Sequence, residues 1–107
     1  MKFPGFNPGQ LQQMMKDVQR QQEELQKRLR DIRVEASAGG GIVTVTVSGL
    51  KEMVALRIDP DAIKDGDVEM LQDLIVAATN EANRKADEKA QEAMRAQLGM
   101  LGLGGLF

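Results

Sequence analysis

Residues 34–49 read VEASAGGGIVTVTVSG, and within this stretch the spacing of apolar residues becomes that of a strand rather than a helix. Val34, Ala36 and Ala38 alternate with Arg33, Glu35 and Ser37, a period of two that sends successive side chains to opposite faces. Gly39-Gly40-Gly41 breaks the run. A second alternation follows, Val43, Val45 and Val47 against Thr44, Thr46 and Ser48, closed by Gly49. A third, Met53 to Ile58, sets Val54, Leu56 and Ile58 against Met53, Ala55 and Arg57. Strands joined this closely form an antiparallel meander with one apolar face, which needs one covering layer of helix or partner protein.

Outward from the meander both flanks turn helical. Upstream, Leu11, Met15, Val18, Gln22, Leu25, Leu29 and Ile32 recur at heptad spacing with one polar interruption, so a helix over 10–32 carries an apolar seam that wants a partner. Residues 1–9, with Pro4, Gly5, Pro8 and Gly9, read as a flexible lead. Downstream, Asp59-Pro60-Asp61 ends the third strand, and Asp65-Gly66-Asp67 supplies a turn with Asp67 as N-cap of a helix over 68–98. Its stripe of Val68, Leu71, Leu74, Ile75, Ala78 and Ala82 gives way to Lys85 and Lys89 on the same line. The glycine-rich tail 99–107 is left either disordered or docked along a dimer groove.

The fold expected is α+β, ordered α-β-β-β-α in one domain. A helix over 68–98 would run roughly 45 Å at ~1.5 Å per residue, longer than a compact globule of this size, so at least one arm projects. An odd strand count brings the first helix in at one end of the meander and sends the chain out at the other. The helices therefore need not pair with each other; the seam then meets a second copy of the chain or folds onto the sheet, and a homodimer through Leu11, Met15, Val18, Leu25, Leu29 and Ile32 would satisfy both demands.

Composition removes most chemistry. The 107 residues contain no Cys and no His, which excludes a disulfide framework, a thiolate nucleophile and the commonest general base, and the lack of Cys fits a reducing cytosol. No enzyme activity, cofactor or small-molecule substrate is expected. The aspartates near the second turn miss the spacing of a calcium loop, because Ile63 and Lys64 stand where a ligand and a glycine belong. Gly39-Gly40-Gly41 joins two strands with no helix behind it, so it is a hairpin turn and not a phosphate cradle. No signal peptide or span of about 20 apolar residues is seen, so no membrane partner is expected.

Charge is left to identify a partner. The net charge of -2 does not mark a nucleic-acid binder, but its distribution is uneven. Opposite the seam of the first helix lie Lys16, Arg20, Lys27 and Arg30, interrupted by Glu23. On the second helix Arg84, Lys85 and Lys89 are candidates for the space between arms, with pairing to Glu81, Glu88 and Glu92 as the alternative. With no Tyr or Trp there is no base-stacking platform, so contact with duplex phosphates fits better than single strands.

The residues at the joints carry a resemblance. Val34 to Gly41, the alternating Val43, Val45 and Val47 with Gly49, Ile58-Asp59-Pro60, and Glu69 to Ile75 with Ala77, Ala78, Asn80 and Ala82 together resemble the YbaB/EbfC family of bacterial nucleoid-associated proteins. The resemblance implies a cytoplasmic homodimer with tweezer-like arms that binds double-stranded DNA at the nucleoid with limited sequence preference. The chain keeps Gly104-Gly105-Leu106-Phe107 without the prolines usual at that family's end. The rival from another class is a coiled-coil chaperone or adaptor that holds a protein between its arms; a third reading is a subunit recruited to another nucleic-acid machine.

Overall fold

The computed structural model describes residues 7–64, 66–100 and 102, in the order α1 (Pro8–Asp31), β1 (Arg33–Ala38), β2 (Val43–Ser48), β3 (Met53–Ile58), α2 (Pro60–Lys64) and α3 (Val68–Met100). The molecule extends 73 × 25 × 21 Å with a radius of gyration of 21.0 Å, against about 13 Å for a compact chain of about 100 residues. The projecting arm is real. It begins two residues before the expected Gln10, because Asn7 and Gln10 form a reciprocal capping box and Pro8 takes the first helical position, where its missing N–H costs nothing. Residues 1–6 of the expected lead lie outside the described residues, as do Leu101 and 103–107 of the tail.

At its other end α1 is pinned to the sheet. The Gly49 N–H donates to the Leu29 carbonyl at 2.8 Å, one of the acceptors a helix C-terminus leaves unpaired. A Cβ at residue 49 would stand 2.6 Å from that oxygen, so only glycine allows the approach. The β2–β3 turn beside it is held by the buried Ser48, whose hydroxyl accepts from the Leu50 and Glu52 amides at 3.1 and 3.3 Å.

The sheet is an antiparallel meander in the order β1-β2-β3, with Val34, Ala36 and Ala38 opposite Val47, Val45 and Val43. Between β2 and β3, Val43 faces Ile58 and Val45 faces Leu56, but Thr46 faces Ala55 while Val47 faces Met53. Val54 is thus the extra residue of a β-bulge. Simple alternation, which groups Val54 with Leu56 and Ile58, fails at that point.

The core lies between β1, β2 and α3. Val34, Ala36, Val43, Val45 and Val47 pack against Ala78, Ala82 and Ala86, with Leu71, Leu74 and Ile75 at the margin. Alanines carry only a methyl group, so α3 can lie close to the sheet. The buried stripe runs one turn further than expected, to Ala86, whereas Val68 at its start is exposed. Asp67 caps α3 as read from the sequence, accepting from the Met70 amide at 2.9 Å. The short α2, which the turn at Asp59-Pro60-Asp61 does not foretell, starts under the Asp59 carboxylate and buries Ala62.

The covering layer is incomplete. Helix α3 packs on β1 and β2 rather than β3, so Leu56 is 45% exposed although its neighbour Val45 is fully buried. Nor do the two long helices stay apart. The chain does leave β3 at the end remote from α1, but α3 then crosses back over the sheet and emerges where α1 enters. At 33 residues it overruns six-residue strands, having a length of about 50 Å against about 20 Å. Its last turns run along α1, where the Gln97 amide donates to the Gln21 carbonyl at 2.9 Å and Arg28 reaches Gln97 at 3.5 Å.

Candidate nucleic-acid interface

Docking one flank of α1 against α3 and the sheet leaves the opposite flank in solvent. Lys16, Arg20, Lys27 and Arg30 all lie there, exposed, and among the described residues none of them forms an ion pair. From Lys16 to Arg30 the row spans about 21 Å at ~1.5 Å per residue. Arg33, just beyond it, is spent locally, donating to the carbonyls of Arg30 and Ile32 at the end of α1.

Three cations of α3, Arg84, Lys85 and Lys89, are engaged within the chain. Arg84 is clamped by Glu81 at 2.5 Å and Glu88 at 2.6 Å. The hydrogen bond from Arg84 holds the Glu81 carboxyl below its ordinary value, and the bond and charge of Glu81 in turn raise the guanidinium. Lys89 pairs with Glu92 at 3.5 Å. Lys85 does not project between arms: its Nζ donates to the Glu35 carbonyl on β1 at 3.0 Å, because the helix is still over the sheet at Ala86 and Lys85 stands on its β1 flank. Arg84, Lys85 and Lys89 can contact a ligand only by exchanging these partners. Contacts this exposed are screened by solvent and weakly held, so exchange is cheap.

The seam of α1 is divided between uses. Leu29 is buried, Ile32 packs at the core margin, and Leu25 with Val18 faces Met94 and Leu98 across an apolar cleft of about 180 Å³ between α1 and α3. Leu11, Met15 and Val18, together with Met14, which the heptad reading left out, remain exposed. The contact between Gln21, Arg28 and Gln97 escaped that reading because polar residues carry no periodic signal. Among the described residues there is no group of three or more potential metal ligands, and no helix is long and apolar enough to cross a membrane. A concavity on α1 is lined by Gln19, Gln22, Glu23, Leu25, Gln26 and Arg30.

An exposed cationic row on a helical arm is the arrangement expected of a backbone binder, and residues 5–101 match the YbaB/EbfC DNA-binding family. The chain belongs to that family. YbaB/EbfC relatives include a nucleoid-associated protein of Agathobacter rectalis, 51% identical with 98% of this chain and 95% of that one covered. Others are nucleoid-associated proteins of Koribacter versatilis, 46% identical over 94% and 97% of the two chains, and of Acetivibrio thermocellus, 47% over 98% and 96%. The fold matches the crystal structure of an uncharacterized protein from Helicobacter pylori with a TM-score of 0.71 and 25% identity, covering 87% of this chain and 98% of that one. The α-β-β-β-α order read from the sequence holds, with the short α2 between β3 and α3 as the one element that reading lacks among the described residues.

Proposed function

We propose that this YbaB/EbfC protein acts in the cytoplasm at the nucleoid, as a homodimer whose arms grip the backbone of double-stranded DNA with little sequence preference, altering nucleoid organisation or gene expression. The observation that carries the reading is the row Lys16, Arg20, Lys27 and Arg30 on the exposed flank of α1, without an ion pair among the described residues. Arg84, Lys85 and Lys89 form a second set, recruited by partner exchange. Cations that meet phosphates release condensed counterions, so affinity must fall with salt; four contacts on each of two arms correspond to a log–log slope of about -7. With no Tyr, Trp or His and only Phe3, Phe6 and Phe107 as aromatic residues, the chain offers few side chains for stacking on splayed bases.

Fluorescence anisotropy with two duplexes of unrelated sequence tests this. Dissociation constants in the micromolar range should agree within about tenfold, where a specific reader would separate them by ~10³ or more. Raising salt from about 50 to about 200 mM should cost ~10³ in affinity or more. A salt-independent affinity would exclude backbone binding.

The homodimer rests on the uncovered strip of sheet. Met53, Val54 and Leu56 on β3 are each close to half exposed, and Val76 of α3 is more so. Asp87 pairs with Lys51 of the β2–β3 turn at 3.1 Å, so the flank of α3 shared by Val76, Asn83 and Asp87 overlooks β3. Light scattering at micromolar concentration should give twice the 11.7 kDa chain mass, and Leu56→Arg should return the protein to a single-chain mass. A single-chain mass for the unaltered protein would remove the dimer and leave the salt test standing.

A further inference from the structure

Among the described residues α3 meets α1 at Val18, Gln21, Gln22, Leu25 and Arg28, through Met94, Gln97 and Leu98. Upstream of these contacts the seam of α1 stays open. Leu11 is 53% exposed, Met14 50% and Met15 59%, and Val18 at the border is 53% exposed. Contiguous exposed apolar surface of this kind marks a contact face, and the residues beside it decide what fits there.

At about 100° per residue, the first side chains on either flank of the open seam are glutamines, Gln12 and Gln19 on one side and Gln10 and Gln21 on the other. Lys16, Asp17 and Arg20 stand further round. Flanking charges are what a helix uses to choose a foreign partner helix, and these positions hold none. They suit a helix identical to α1. In an antiparallel pair about a twofold axis each flanking residue lies beside its own copy, where like charges would repel; glutamine instead matches itself, because its amide both donates and accepts. The seam matches itself as well. An axis near Gln13 sets Leu11 of each copy against Met15 of the other, with Met14 beside Met14 on one flank and Gln12 beside Gln12 on the other.

We infer that the start of α1, from Leu11 to Val18, is a self-pairing face on which the same segment of a second copy lies antiparallel. This face is separate from the β3 strip. Two self-pairing faces on one chain link copies in open series, where a single one closes at two. That linkage rests on the proposed β3 dimer; the α1 contact does not. Three turns of helix offer well under the roughly 1,200 Å² of a stable interface, so the contact is weak between free molecules and strengthens wherever copies are held close together.

The absence of cysteine makes a direct test clean. Met14→Cys in the full chain, treated at high protein concentration with a short dimaleimide, is expected to give a product of twice the chain mass on a denaturing gel. Its yield should exceed that of Gln13→Cys by about tenfold or more, because position 13 points away from its copy. Leu11→Asp added to Met14→Cys should remove the product, and Leu56→Arg, which separates the β3 strips, should leave it. Equal yields at positions 13 and 14, or no product, would overturn the pairing and assign the seam to another protein. Loss of the product with Leu56→Arg would overturn a separate face, since the two α1 segments would then meet only inside the β3 dimer. A single-chain mass by light scattering with the product still formed would remove the β3 dimer and leave this face standing.

Discussion

Ala82→Leu is expected to lower the melting temperature by about 12 °C or more, the largest effect on stability of any single substitution in the α3 stripe. Ala82 is fully buried, with Ala78 and Ala86 one turn away on either side and equally enclosed against Val43, Val45 and Val47. Three added carbons have no void to enter. Overpacking a closed core costs about 1–3 kcal/mol where neighbours can adjust. Here the neighbours are sheet backbone and β-branched side chains with one favoured rotamer, so the upper figure applies. About 3 kcal/mol at ~4–8 °C per kcal/mol gives the expected shift. Ala77→Leu, on the exposed side of the same helix, should stay within about 0.5 kcal/mol of the unaltered chain. Circular dichroism at a fixed protein concentration reads both, because association would otherwise move the midpoint. Equal melting of the two variants would mean that α3 does not lie on the sheet through its alanines.

The elements that were legible before any coordinates are those whose signal is local. Val43 to Ser48 alternates β-branched residues against hydroxyls, and Leu11 to Ile32 repeats at heptad spacing, so residue type and period agree. The bulge at Val54 has no such signature, since it exists only in the pairing of β3 with Val47. The return of α3 to α1 follows from helix length measured against strand length, a comparison that counting strands omits. The site divides in the same way. A 100° wheel suffices to line up Lys16, Arg20, Lys27 and Arg30, and the spacing of Arg84 from Glu81 and Glu88 announces its clamp. Lys85 has acids at comparable spacing yet binds a carbonyl fifty positions away, on a strand that only the fold brings near.

Reversing three charges of the cationic row, Lys16→Glu with Arg20→Glu and Lys27→Glu, is expected to weaken duplex binding by about 10²-fold or more and to flatten its salt dependence. Each lost phosphate contact removes about 0.9 from the log–log slope, so three on each arm of a dimer remove about 5 of the expected 7. The fold should hardly notice, because none of the three is buried or ion-paired among the described residues and exposed substitutions stay near ±0.5 kcal/mol. Lys85→Glu with Lys89→Glu gives the contrast. Those lysines begin bound to the Glu35 carbonyl and to Glu92, so their transfer to phosphate gains less, and their reversal should cost under about tenfold. Anisotropy titrations of both variants at two salt concentrations therefore rank the arms. If the α3 pair costs more affinity than the α1 triple, the grip lies on the flank of α3 beside β1, and the row on α1 is a solvated face.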